Sequence, residues 1–129
     1  MSADAAAALP RILLVEDNEA IRGAFSVLLQ ESGYRVLQAA SGAEALAASA
    51  DERPHLVLLD LGLPDMSGLE VARALRARDE TRDTPIVALT GRALETDAEA
   101  CMAAGCSDYL TKPVDTEQLL RVLAGYLEG

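Results

Sequence analysis

The sequence predicts a single doubly wound α/β domain built on a five-stranded parallel sheet, and three observations predict it. Short apolar runs alternate with longer helical patterns five times along the 129 residues, which is the signature of repeated βα units. The runs Ile12–Val15 and Leu56–Leu59 are unbroken stretches of Ile, Leu and Val, as parallel strands buried on both faces require. Apolar residues make up 50% of the chain but aromatics only 3%. Such Ala-, Leu- and Val-based composition suits helices packed on a sheet better than a sandwich.

The first strand, Ile12–Val15, ends at Glu16 and Asp17. Asn18 caps the following helix, whose apolar positions Ile21, Ala24, Phe25, Leu28 and Leu29 share one face. Gly33 ends that helix and Tyr34–Ala39 reads as the second strand. Ser41 with Glu44 forms a capping box that opens an Ala-rich helix to about Ala50. The third strand, Leu56–Leu59, is followed directly by Asp60. Ser67 with Glu70 is a second capping box, starting a helix that runs to about Arg78. Pro85–Leu89 is the fourth strand and leads into Thr90. A helix from about Leu94 to Ala104 stops at Gly105, and Tyr109–Leu110 is a short fifth strand. Asp115 caps a last helix with Leu119, Leu120, Leu123 and Leu127 on one face.

The chemistry lies where polar residues fall relative to the strands. Glu16 and Asp17 follow the first strand, Asp60 the third, Thr90 the fourth and Lys112 the fifth. In an open α/β sheet, ligands bind outside the carboxyl ends of the strands, where strand order reverses. With the order 2-1-3-4-5 that point falls between strands 1 and 3, flanked by the three acids. Crowded carboxylates raise one another's pKa, and a hard divalent cation such as Mg²⁺ relieves the conflict. Thr90 offers a hydroxyl and Lys112 a point charge, both suited to phosphate oxygens. Positioning and electrostatic stabilisation are most of what phosphoryl transfer needs. Asp60, standing alone beside Gly62 and Pro64, is the candidate nucleophile.

Four motifs carry a resemblance. Leu14-Val15-Glu16-Asp17-Asn18, Leu58 through Gly68 around Asp60, Leu89-Thr90, and Asp108-Tyr109-Leu110-Thr111-Lys112-Pro113 together resemble the receiver domain of two-component response regulators. The resemblance runs from about Arg11 to the last helix and implies a flavodoxin-like (receiver) fold over 11–129, after a flexible segment at 1–10. It implies that Asp60 accepts a phosphoryl group from a histidine kinase or histidine phosphotransfer protein. Glu16, Asp17 and Asp60, joined by the Gly62 carbonyl, would bind Mg²⁺. Thr90 and Lys112 would contact the phosphoryl group, and the Lys112–Pro113 bond is expected to be cis. Tyr109 falls at the aromatic switch position that moves with Thr90, and the signal would pass through the last two helices and fifth strand to a downstream protein. Two residues depart from the usual pattern. Gly62 replaces a larger side chain two places after the acceptor, and Gly91 stands where Ala is common. Gly62 cannot shield a phosphoryl group from water, while Arg92 could contact its oxygens or steer a partner.

Other features carry less. Eleven basic against twenty-one acidic residues give a net charge of −10, which disfavours nucleic-acid binding. Cys101 and Cys106 read as core or surface thiols rather than a redox pair. The Ala-rich start, Met1 to Leu9, lacks a signal peptide's basic region. No apolar run spans a membrane, so a cytoplasmic protein with no membrane contact is expected. His55 has no second histidine and reads as an exposed polar residue. Arg73, Arg76 and Arg78 read as solvated charges on the third helix.

Alternatives are a phosphorylation-independent interaction domain and an external-substrate phosphohydrolase. The latter needs a second acid/base carboxylate where Gly62 stands, so no enzymatic turnover is expected. No G-x-x-x-x-G-K-[ST] loop follows the first strand, against a nucleotide switch. Met1 suggests a free N-terminus, whereas the stretch from Ala103 to Leu120 looks like receivers excised from hybrid sensor kinases.

Overall fold

The computed structural model describes residues 9–91 and 95–128. The expected flexible start up to Ala8, and the suggested role for Arg92, lie outside the described residues. Five strands and five helices alternate: β1 (Arg11–Val15), α1 (Glu19–Glu31), β2 (Arg35–Ala39), α2 (Gly42–Glu52), β3 (Leu56–Asp60), α3 (Gly68–Arg76), β4 (Ile86–Thr90), α4 (Glu95–Ala104), β5 (Asp108–Thr111) and α5 (Thr116–Leu127). All neighbouring strands are parallel, in the order β2-β1-β3-β4-β5. The doubly wound, flavodoxin-like expectation is met in both composition and order.

Strand alternation splits the interior into two cores. Leu13, Val15, Val57, Leu59, Ile86 and Ala88 face α2, α3 and α4, meeting Ala45, Val71, Leu75 and Cys101. Ile12, Leu14, Leu56, Leu58, Val87 and Leu89 face α1 and α5, meeting Leu29, Leu119 and Leu123. Every one of these strand residues is fully buried. At about 2 kcal/mol for each large side chain removed from water, β1, β3 and β4 form the chief apolar anchor of the fold. Cys101 and Cys106 are buried and unbridged, and burial, followed by the nearby Cys101 sulfur, pushes the Cys106 thiol up to about 11. They are core thiols.

Several local expectations shift. Of the expected α1 face, Leu29 is buried and Phe25 and Leu28 pack on the core. Ile21 and Ala24 are exposed, and Ser26 is buried in addition. Ser26 tolerates burial because Gln38 Nε2 donates to its hydroxyl at 3.2 Å. At the start of α2, Ser41 Oγ accepts from Glu44 N at 3.2 Å, but the Glu44 carboxylate reaches Ala40 N rather than Ser41 N. Ser67 Oγ accepts from Leu69 N at 3.1 Å, while Glu70 N bonds the Ser67 carbonyl. Gly33 and Gly105 follow α1 and α4 at φ +97° and +104°, a conformation that costs little without a Cβ. His55 is exposed as expected, yet its Nδ1 accepts from Arg11 N at 2.9 Å and holds the start of β1.

The arginines at the third helix differ most from solvated charges. Arg73 is exposed, but Arg76 is half-buried and its guanidinium closes one end of the sheet. Its Nε donates to Gly105 O at 2.8 Å, Nη1 to Thr81 O at 3.1 Å and Thr84 O at 2.7 Å, and Nη2 to Ser107 Oγ at 3.4 Å. Arg78 lies beyond α3 and donates to Leu46 O at 2.8 Å. A planar donor fork suits this task because it satisfies several carbonyls at once. Arg76→Ala should therefore destabilise the domain by about 2–3 kcal/mol. Urea unfolding should show a lower midpoint with an unchanged slope, whereas a solvated arginine would leave the midpoint within error.

Candidate functional site

The buried strands end together, and each of them gives way to polar residues. Glu16 lies just past β1 and is 1% exposed; Asp60 closes β3 at 4% and Thr90 closes β4 at 6%. Asp17 beside Glu16 is exposed. Lys112 follows β5 and is drawn over the site because its N–H donates to Thr90 O at 2.7 Å. Its ammonium then reaches Asp60 Oδ1 at 3.0 Å and Glu16 Oε1 at 3.9 Å. Asp60 Oδ1 also accepts from Gly62 N at 3.1 Å. One carboxylate oxygen from each of Glu16, Asp17 and Asp60 lies within 4.8 Å of the other two. Glu16, Asp17, Asp60, Gly62, Thr90 and Lys112 are thus gathered at one end of the sheet, as expected. The Lys112–Pro113 peptide is cis.

One lysine does not balance three acids. Glu16 Oε2 accepts from Asn18 N at 3.1 Å, but Oε1 is buried with no hydrogen-bond partner. Burial chiefly raises the Glu16 pKa and the Asp60 charge adds to it, against the lowering effects of the Asn18 N–H and Lys112. A buried carboxylate oxygen left without a donor is costly, and beside two further carboxylates its chemistry fits a hard divalent cation.

Tyr109 is half-buried on β5 and packs against the core on the α2, α3 and α4 side. The register pairs Ala88 with Tyr109 and Thr90 with Thr111. By strand alternation, Thr90 therefore faces the same side as Tyr109. Sequence reasoning missed Arg22. Its Nη1 donates to Glu16 O at 2.8 Å and Asp17 O at 3.5 Å, and its Nε to Gln38 Oε1 at 3.1 Å. It fixes the backbone that presents both acids, one helical turn after the Asn18 cap. That spacing was the available signal.

A family profile described as the response regulator receiver domain matches residues 12–124. The chain belongs to the response regulator receiver family. Among relatives of this receiver, the polar-differentiation response regulator DivK of Brucella anthropi is 37% identical over 90% of this chain and 94% of its own length. DivK of Brucella ovis is 36% identical over the same shares. The chemotaxis protein CheY4 of Vibrio cholerae superposes with a TM-score of 0.89 at 35% identity, covering 93% of this chain and all of its own. The receiver domain of the sensor histidine kinase PA1611 of Pseudomonas aeruginosa gives a TM-score of 0.87 at 38% identity, covering 95% of this chain and all of its own. That structure holds a magnesium ion in its active-site cleft.

The raised Glu16 pKa has a testable sign. A carboxylate whose folded pKa lies above its unfolded value costs stability once both states are ionised, and costs nothing below the unfolded value of 4.5. In metal-free receiver, Glu16→Gln should be more stable than wild type at pH 7. The gap should close as the pH falls below about 4.5. Thermal melts across that range check it; a gap that widens on acidification would contradict the assignment.

Proposed function

We propose that this receiver takes one phosphoryl group onto Asp60 in a Mg²⁺-dependent step and signals through a change of conformation. The observation that carries the reading is Asp60 itself. It is a buried carboxylate ending a central strand, within 3.0 Å of the Lys112 ammonium, beside the orphaned Glu16 oxygen. Glu16, Asp17, Asp60 and the Gly62 carbonyl would hold the ion, which supplies positive charge to the oxygens of the incoming phosphate. The magnesium in the related PA1611 receiver supports that choice.

The Asp60 carboxylate attacks phosphorus in line with the leaving group. An oxygen–phosphorus bond forms, the phosphorus–nitrogen bond to the donor histidine breaks, and its electron pair stays on the imidazole. Lys112 exchanges its bond to Asp60 for one to the transferred phosphoryl group, and Thr90 turns its hydroxyl toward the same oxygens. The shared orientation of Thr90 and Tyr109 supports Tyr109 following Thr90 inward. The chain would then act within residues 11–129 as a switch rather than as an enzyme for external substrates. Its donor would be a histidine kinase or histidine phosphotransfer protein in the cytoplasm and its reader a protein. No helix among the described residues is long and apolar enough to cross a membrane.

Incubation with a small phosphodonor and Mg²⁺ should add one phosphoryl group by intact mass, and Asp60→Asn should add none. Lys112→Ala should slow uptake roughly a hundredfold, the scale seen when one charge-stabilising donor is removed. Undiminished uptake by Asp60→Asn would overturn the acceptor assignment.

A further inference from the structure

The loop that leaves Asp60 is closed at both ends by contacts that the strand and helix do not themselves require. At its neck, Gly68 N donates to Leu61 O at 3.2 Å. A Cβ on Gly68 would lie 2.6 Å from Leu61 Cα and 2.9 Å from Asp60 O, so the neck closes only because residue 68 has no side chain. At its tip, the Asp65 carboxylate reaches a different element. Oδ1 accepts from Gly42 N at 2.8 Å and Oδ2 from Ala43 N at 3.0 Å, the first two N–H groups of α2. Met66 packs beside them, where a Cβ on Gly42 would run into its Cγ and Sδ. Gly62 sits between neck and tip, exposed, with its N–H on Asp60 Oδ1.

An ordinary helix cap would not need this arrangement. The helix already has its own cap, since Ser41 Oγ accepts from Glu44 N. Asp65 adds a two-pronged anion at the positive end of α2, and those N–H groups hold its carboxyl below the usual range. The loop gains a fixed second attachment about midway along its length. With neck and tip both held, the backbone between them has little freedom. Gly62, with no side chain to pack, takes its position from those two points.

We infer that Asp65 is a positioning residue for the metal and phosphoacceptor site: by clamping the loop tip to the start of α2 it sets where the Gly62 backbone stands relative to Asp60. This rests on the reading of Gly62, Glu16, Asp17 and Asp60 as the metal ligands. Asp65 touches none of them and acts through the loop.

Two substitutions separate this role from helix capping. Asp65→Asn keeps shape but can accept only one of the two N–H bonds and turns an NH₂ group toward the other donor. Ser41→Ala removes the cap of the same helix and leaves the loop untouched. Mg²⁺ affinity is measured by isothermal titration, and loop order by amide hydrogen exchange without metal. Asp65→Asn should weaken Mg²⁺ binding roughly tenfold, the scale of lost support around a metal site, and speed exchange across residues 61–68. Ser41→Ala should lower thermal stability while leaving both readouts at wild-type values. Unchanged Mg²⁺ affinity and loop exchange in Asp65→Asn would overturn the clamp and leave the metal reading intact. Equal losses in the two variants would also overturn it, reducing Asp65 to a cap. If wild-type protein binds no Mg²⁺ while Asp65→Asn still loosens the loop, the metal reading fails and the clamp stands as a positioner of Asp60 alone.

Discussion

Three strands of this sheet are buried on both faces, and that constraint governs where everything else can stand. Strands β1, β3 and β4 carry apolar side chains both up and down, so no position before their carboxyl ends can hold a functional polar group without opening a hole in one core. Chemistry is pushed to the strand ends, and parallel pairing brings those ends to one side. Because β1 lies between β2 and β3, the chain leaves neighbouring strands toward opposite faces there. The gap admits Glu16, Asp17 and Asp60 together. The same packing that stabilises the domain thus dictates that its acids be crowded.

Crowding makes the site costly to the fold and useful to its chemistry. Lys112 offsets part of the repulsion, but its ammonium stands 3.0 Å from Asp60 and 3.9 Å from Glu16, so it favours one acid over the other. Glu16 is left with a buried oxygen that no donor reaches. A protein selected for stability alone would place an amide or an apolar residue there. An acid in that place points to a charge that arrives from outside, and Arg22 holds the carbonyls of both Glu16 and Asp17. The crowding is thus held by bonds to backbone carbonyls rather than to the acids themselves.

Legibility in the sequence depends on which forces leave a periodic trace. Double-sided burial produces unbroken apolar runs, helix packing produces a three-to-four spacing, and caps sit at fixed offsets. The succession of strands and helices and the strand-end positions of the site residues are therefore readable, while the sheet order 2-1-3-4-5 is implied by the resemblance and is met in the structure. Bonds from side chains to distant carbonyls leave no such trace. Arg76 looks like one of three solvated arginines because nothing nearby in sequence announces Thr84, Gly105 or Ser107 as its partners. Asp65 reads only as a member of a motif, since its partners are more than twenty residues earlier. Periodicity places Phe25, Leu28 and Leu29 of α1 on the core but misses Ser26 for a related reason. Ser26 is polar, and its burial beside Gln38 depends on a strand neighbour that helical spacing does not reveal.

The two glycines that depart from the family pattern differ in kind from those the fold needs. Gly33 and Gly105 occupy positive φ, and Gly68 lies against the Leu61 backbone, so each is dictated by geometry. Gly62 and Gly91 are dictated by nothing of the sort. A Cβ at 62 would stand 3.9 Å from Asp60 Oδ1, in ordinary contact, and one at 91 would meet nothing within 4 Å. Since the backbone would accept a side chain at either position, the effect of glycine must lie in what it leaves uncovered. At 62 that is the approach to Asp60, over which a larger residue would lie. With Asp60 itself only 4% exposed, the residue at 62 bears on how the edge of that carboxylate is covered rather than on the stability of the fold.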